Sequence, residues 1–128
     1  MGLKEKIEGY LIDLSIPFEE KSENFWMISS QERSLENVAL TIEDTVATIT
    51  VNVMPVPSSN KEELFEKLLN LNANEMIHGA YGIEGSNIVL IDTLEGETMD
   101  IEELQATLDS ISLALAQHYK ILSKYRQN

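Results

Sequence analysis

Apolar positions recur at helical spacing in three stretches of the chain and alternate with polar ones in most of the remainder. The strongest pattern runs over residues 61–92. Leu64, Leu68 and Leu71 fall on one helical stripe, with Phe65 and Leu69 on a flanking stripe. Asn60 followed by Glu63 three residues later predicts a capping box at the start of this helix. Asn70, Asn72 and Asn74 weaken it toward its end. Residues 80–84 and 87–93 then flank Gly85-Ser86, a two-residue loop suited to a type II′ hairpin turn. Ile88, Val89, Leu90 and Ile91 are all apolar, which predicts an inner strand covered on both faces.

The first sixty residues carry both periods. Leu3, Ile7, Leu11 and Leu14 predict an amphipathic helix over 3–14, ended by Ile16-Pro17. Residues 18–21 make at most a short strand before the turn at Ser22, Glu23 and Asn24. Residues 25–30 are a better strand, with Phe25 and Met27 on one face and Trp26 and Ile28 on the other. After a polar turn over 31–34, Val38, Leu40 and Ile42 alternate with Ala39 and Thr41. Glu43-Asp44 is the expected tight turn, and residues 46–54 form the longest strand. Its inward face is Ala47, Ile49, Val51 and Val53; its outward face is Thr48, Thr50 and Asn52, facing water or a partner. The Pro55 to Ser59 stretch cannot continue a central strand and links to the central helix.

Asp100 and Glu103 predict a second capping box, opening a long last helix. Ile101, Leu104, Leu108, Ile111, Leu115, His118 and Leu122 keep a three-four spacing along it. A coiled-coil seam would look the same, but in a mixed chain a helix lying on a sheet is the commoner arrangement. Leu113, Ala106 and Ala116 lie on the opposite side. The expected fold class is α+β. It is an antiparallel five-stranded sheet with helices packed on one face, in the order α-β-β-β-α-β-β-α and as one domain over residues 1–128.

Composition narrows the function classes. The 128 residues carry a formal net charge of −13, with 22 Asp and Glu against 9 Lys and Arg. Such a field repels phosphate backbones and anionic lipid, so no nucleic-acid and no membrane-surface partner is expected. Acidity serves solubility in any case, and more specifically suits a partner with a basic segment. The absence of cysteine removes disulfides and thiolate chemistry. With no apolar leader at MGLKEKIEGY, no Ser or Thr at the myristoylation position after Met1-Gly2, and no long apolar span, a cytoplasmic protein is expected.

No constellation for catalysis stands out. His78 sits in the joint before the hairpin and His118 on the seam of the last helix; neither has a metal-ligand spacing. Gly79, Gly82 and Gly85 recur every third residue through a strand, which suits packing and a turn, not a phosphate loop at a helix start. The acidic pairs, such as Glu19-Glu20 and Glu102-Glu103, fall in turns and first helical turns and supply no calcium loop. An enzyme would have to work with carboxylates alone. No catalytic residue, metal site or cofactor is expected. The single Trp26 is either a half-buried core residue or a binding anchor.

The run KEELFEKLLNLNANEMIHGAYGIEGSNIVLIDTLEGETMDIEELQATLDSIS resembles the second half of the type III secretion chaperone-like superfamily, which includes the CesT-type class I chaperones and the YbjN-like proteins. The resemblance lies in the LLxLN helix, the GAYGI strand, the glycine turn, the NIVLIDTL strand and the DIEEL helix start, and extends to about Tyr119. The first sixty residues agree in order of elements only. The resemblance implies a non-enzymatic homodimer that binds an extended segment of a partner protein along its sheet, by strand addition and apolar pockets. It implies dimer contacts from the central helix and hairpin, here Phe65, Leu69 and Tyr81. Candidate partner contacts are Trp26, Val46, Thr48 and Thr50. The YbjN-like branch implies an alternative, a regulatory adaptor that binds a folded partner.

Overall fold

The computed structural model describes residues 2–126, leaving Met1, and with it the first residue of the Met1-Gly2 reading, outside the described residues. Among them the elements are α1 (Leu3–Asp13), β1 (Phe18–Ser22), β2 (Phe25–Ser30), a 3₁₀ turn (Gln31–Arg33), β3 (Leu35–Glu43) and β4 (Val46–Pro55). They continue with α2 (Lys61–Asn74), β5 (Ala80–Glu84), β6 (Asn87–Glu95) and α3 (Ile101–Ser123). All strands join one antiparallel sheet in the spatial order β1-β2-β3-β4-β6-β5.

The class is α+β as expected, but the sheet has six strands instead of five. The added strand is β1, whose FEEKS sequence lacks apolar alternation. Phe18, Glu19 and Glu20 nonetheless pair with Ile28, Met27 and Trp26 of β2. Backbone pairing at a sheet edge needs no apolar pattern when four of five side chains face solvent.

Period-two alternation puts the core on one side of the sheet. Trp26 and Ile28, Val38 and Leu40, Ala47 and Ile49, and Ile88 and Leu90 are buried and belong to one cluster. Ile7 and Leu11 of α1, Leu64, Leu68 and Leu71 of α2, and Leu104, Leu108, Ile111 and Leu122 of α3 close over it. The last helix therefore lies on the sheet and does not use its seam for a coiled coil. Each buried Leu or Ile contributes on the order of 2 kcal/mol of apolar burial.

The two helix starts differ. Asp100 accepts from the Glu103 amide at 2.8 Å, the expected cap. Asn60 instead adopts a left-handed conformation with φ 58 and makes no side-chain cap. Its partner Glu63 is used elsewhere, accepting from the Tyr125 hydroxyl at 2.9 Å. The β3–β4 turn falls one residue later than expected, with Asp44 at φ 55.

One polar pair crosses the core. The hydroxyl of Tyr81 on β5 lies 2.7 Å from Nδ1 of His118 on α3, and both residues are buried. Nε2 of His118 has no hydrogen-bond partner and lies 3.6 Å from a Glu75 carboxylate oxygen just past α2. In the tautomer with the ring proton on Nε2, that proton faces Glu75 and Tyr81 donates to Nδ1. Burial, with the Glu75 carboxylate adding to it, pushes the Tyr81 phenol up to about 12.

Two predictions follow from this packing. Gly79 has φ +81, and a Cβ there would lie 2.8 Å from the Ile91 carbonyl oxygen, whereas a Cβ at Gly82 meets nothing within 4 Å. Urea unfolding should show Gly79→Ala losing about 2 kcal/mol and Gly82→Ala losing less than about 0.5 kcal/mol. Ultraviolet titration should find one of the four tyrosines releasing its proton only near 12, and that step should vanish in Tyr81→Phe. The unfolded chain releases the same proton near 10.0, so folding stability falls as pH rises from there toward 12, and falls less in Tyr81→Phe.

Candidate functional site: the open sheet face and the two sheet edges

The face of the sheet away from the helices is built by the same alternation that builds the core. One row across it runs Phe25, Thr41, Thr48 and Thr93. The next runs Glu19, Met27, Ala39, Thr50, Ile91 and Ala80, spanning all six strands. Phe25, Met27, Thr48, Thr50 and Ile91 are each partly accessible. Threonine keeps the surface wettable while its methyl group and β-branched shape pack like valine in the pleat. The face is thus a shallow apolar floor with a regular grid of hydroxyls.

A groove of about 410 Å³ opens on this face near β1, lined by Pro17, Phe18, Glu19, Lys21, Met27 and Asn37 among others. The two sheet edges next to this face are unequal. At the β5 edge, the Asn72 side chain accepts from the Tyr81 amide at 2.8 Å and donates to the Tyr81 carbonyl at 3.1 Å. The amide group thereby takes the place of a neighbouring strand and ties α2 to the edge. At the β1 edge the side chains are mostly exposed, and Lys4 and Lys21 pair with Glu20 and Glu19 at 2.9 and 3.2 Å. Trp26, one strand in, is held from the other side: its indole N–H donates to Glu8 of α1 at 2.9 Å.

The candidate partner-contact residues therefore divide. Val46, Thr48 and Thr50 sit together on the open face of β4, with Val46 at its exposed start. Trp26 does not join them. Its side chain is completely buried on the helix side, because its neighbours Phe25 and Met27 take the outward positions. Sequence reasoning placed Phe25 and Met27 on one face but passed over them as contact candidates; the alternation with Trp26 was the available signal. Ile91 was passed over because its strand looked covered on both sides.

The candidate dimer residues divide as well. Leu69 of α2 is 68% exposed and Phe65 beside it is half-buried. Tyr81 faces inward, 6% exposed, and is committed to His118. Beyond the three, Ile83 on β5 and Ile77 in the preceding joint are exposed, at 55% and 84%. These apolar side chains come from α2, which packs on β5, and from the joint between them. The Leu69 stripe was legible as a second apolar arc; Ile77 stands alone in its loop and gave no pattern.

The two histidines occupy separate places. Nδ1 of His78 lies 3.8 Å from Oδ2 of Asp92, a buried oxygen with no hydrogen-bond partner, while Oδ1 of Asp92 accepts from the Thr93 amide. Among the described residues no three His, Cys, Asp or Glu side chains gather as metal ligands. No helix among them is long and apolar enough to cross a membrane.

Comparison with solved structures shows the same fold at low identity. YbjN from E. coli matches with a TM-score of 0.68 and 14% identity, over 94% of this chain and 93% of that one. The HopA1–SchA chaperone–effector complex matches at 0.64 and 10% identity, over 98% and 93%. The heterodimeric ExoU–SpcU complex of the type III secretion system of Pseudomonas aeruginosa matches at 0.62 and 12% identity, over 87% and 93%. No curated protein sequence matches at comparable significance. The family model CesT_Tir_1 matches residues 2–128, so the chain belongs to the CesT_Tir_1 family.

Proposed function

We propose that this chain is a non-enzymatic protein-binding module of a single domain. It works in the cytoplasm as a homodimer and holds a segment of a partner protein against the β1 edge and the open sheet face. The observation that carries the reading is the inequality of the two edges. A side-chain amide already occupies the β5 edge at Tyr81, while β1 offers an outer edge beside an accessible apolar floor. An extended segment added there would gain main-chain hydrogen bonds from β1 and side-chain contact with Glu19 and Met27, the members of the row nearest that edge, and only chain continuing across the open face would meet Ala39 and Thr50. The formal net charge of −13 favours a segment that carries basic residues. The match to a chaperone–effector complex supports the same reading.

The proposed dimer uses the patch around Phe65, Leu69, Ile77 and Ile83 on α2, the joint and β5. Exposed large apolar groups gathered at one edge mark an interface more readily than the same groups scattered. Tyr81 contributes from behind by fixing β5 against α3.

A second reading, an adaptor that grips a folded partner, draws support from the threonine grid, which is flatter and more polar than a peptide groove, and from the likeness to YbjN.

Light scattering at tens of micromolar should give two chain masses. Replacing both Leu69 and Ile83 by Glu should give one, because four carboxylates would then be buried at a two-fold interface. A photo-crosslinking residue at position 27 should capture the partner. Peptides from the captured protein should then bind within about tenfold of the whole. Peptides that fail where the whole folded protein binds would favour the adaptor, and an unchanged mass in the double Glu variant would remove the dimer patch.

A further inference from the structure

The outer face of α3 takes no part in the core or in the surfaces described above. The inward positions from Leu104 to Leu122 are buried against the sheet. On the opposite side Ala106, Asp109, Leu113, Ala116 and Lys120 are all exposed, and half-buried Ser123 continues the line. These positions are spaced by three and four residues in turn, which keeps them on one stripe of the helix. Leu113 near its middle is 57% exposed, whereas the other leucines of α3 are buried or half-buried.

Charge divides the same face. Glu102, Glu103 and Asp109 precede Leu113; Lys120 and Lys124 follow it, and no Asp or Glu occurs after Asp109. Among the described residues Lys120 and Lys124 have no carboxylate within ion-pair distance. Asp109 pairs with Arg33, yet its side chain remains 55% exposed.

This order makes the stripe complementary to itself when turned end for end. Let a two-fold axis pass between Leu113 and Ala116. Leu113 of one copy then packs against Ala116 of the other, Asp109 faces Lys120, and Ala106 faces Ser123. Each layer sets a larger side chain against a smaller one or an acid against a base, as knobs-into-holes packing asks. The antiparallel helix dipoles add to the match. In a parallel pairing Asp109 would meet Asp109 and Lys120 would meet Lys120.

We propose that the outer face of α3 pairs antiparallel with the same face of a second copy of this chain. The charge division chooses the occupant, because a purely acidic or purely basic partner would match only half of the face. The contact is weak. One leucine and two alanines per copy bury far less than the ~800 Å² per partner of a standard interface, and exposed ion pairs contribute under about 1 kcal/mol each. Each copy also carries −13, a repulsion that is screened beyond about 8 Å at physiological salt. Association is therefore expected at hundreds of micromolar, above the range in which the patch around Leu69 is expected to hold. The face is separate from that patch, and the inference does not rest on it. With both contacts formed, dimers would join into assemblies of four chains or more.

The test is disulfide trapping, and the chain has no cysteine of its own to interfere. Ala106→Cys and Ser123→Cys are made in separate chains, since the two positions lie about 25 Å apart along one helix. Oxidised together at about 0.5 mM in about 150 mM salt, they should give a mixed linked pair at least about fivefold in excess of either self-linked pair. Adding Leu113→Glu or Lys120→Glu to both chains should cut the mixed product at least about fivefold, with circular dichroism unchanged. The product should persist when Leu69→Glu and Ile83→Glu are also present. If Ser123→Cys lowers the melting temperature, sedimentation equilibrium up to about 1 mM decides in its place: the average mass should rise with concentration in the unmodified chain and stay level in Leu113→Glu. Self-linked pairs that match or exceed the mixed one overturn the proposal, as does a mixed product indifferent to Leu113→Glu. Loss of the product with Leu69→Glu and Ile83→Glu would assign it to the other patch and equally overturn it, and so would a mass that does not change up to about 1 mM.

Discussion

The pairing of β4 with β6 is the constraint on which the rest of the structure depends. It joins the four-strand meander β1–β4 to the hairpin β5–β6 across the whole of α2 in sequence. The register runs from Val46 opposite Glu95 to Pro55 opposite Asn87. Its far end is locked where the Gly96 amide donates to the Thr45 carbonyl at 2.7 Å. A Cβ on Gly96 would lie equally close to that oxygen, so only glycine lets the chain close here. A slip of one residue would turn Ile88 and Leu90 outward and bring Val89 and Ile91 onto the helices. The register therefore decides at once which residues form the core and which the open face. The threonine grid is a consequence of the core packing, since one side of the pleat cannot be specified without the other.

Much of this was legible in the sequence because a two-residue period leaves little freedom. The β4 alternation of Ala47, Ile49 and Val51 against Thr48, Thr50 and Asn52 reads directly as inner and outer faces and holds up to the irregularity between Asn52 and Met54, where Met54 takes the buried position expected of Val53. The Asp100 cap and the stripe from Leu104 to Leu122 were equally direct. What was missed has a physical reason in each case. β1 is held by main-chain pairing and carries almost no side-chain signal. Asn60 has the right residue type for a cap but enters its helix from a left-handed conformation, which points its side chain elsewhere. Tyr81 looked like an interface aromatic because nothing local shows that a histidine 37 positions later will meet its hydroxyl. The Asn72 clasp on β5 is a contact between a helix side chain and strand backbone. In sequence Asn72 reads only as one of three asparagines that weaken a helix.

The candidate surfaces share a logic. A sheet with helices on one face has an exposed face and two edges to dispose of. Here α2 and its Asn72 take up one edge, leaving Leu69 and Ile83 outside as apolar groups in search of cover. The other edge is protected by short length and charge, devices that discourage indiscriminate pairing without closing the edge to a matched segment. Acidic residues dominate everywhere except at the end of α3, where cations also suit the negative pole of a helix of 23 residues.

Amide hydrogen exchange, free and with the crosslinked partner bound, addresses the central claim most directly. In the free protein the Tyr81 amide should exchange slowly, held by Asn72, and the outward amides of β1 quickly. With the partner bound, protection should appear along residues 18–22 and leave β5 unchanged. Protection gained at β5 with β1 unaffected would contradict the assignment of the β1 edge as the site where a partner segment is held.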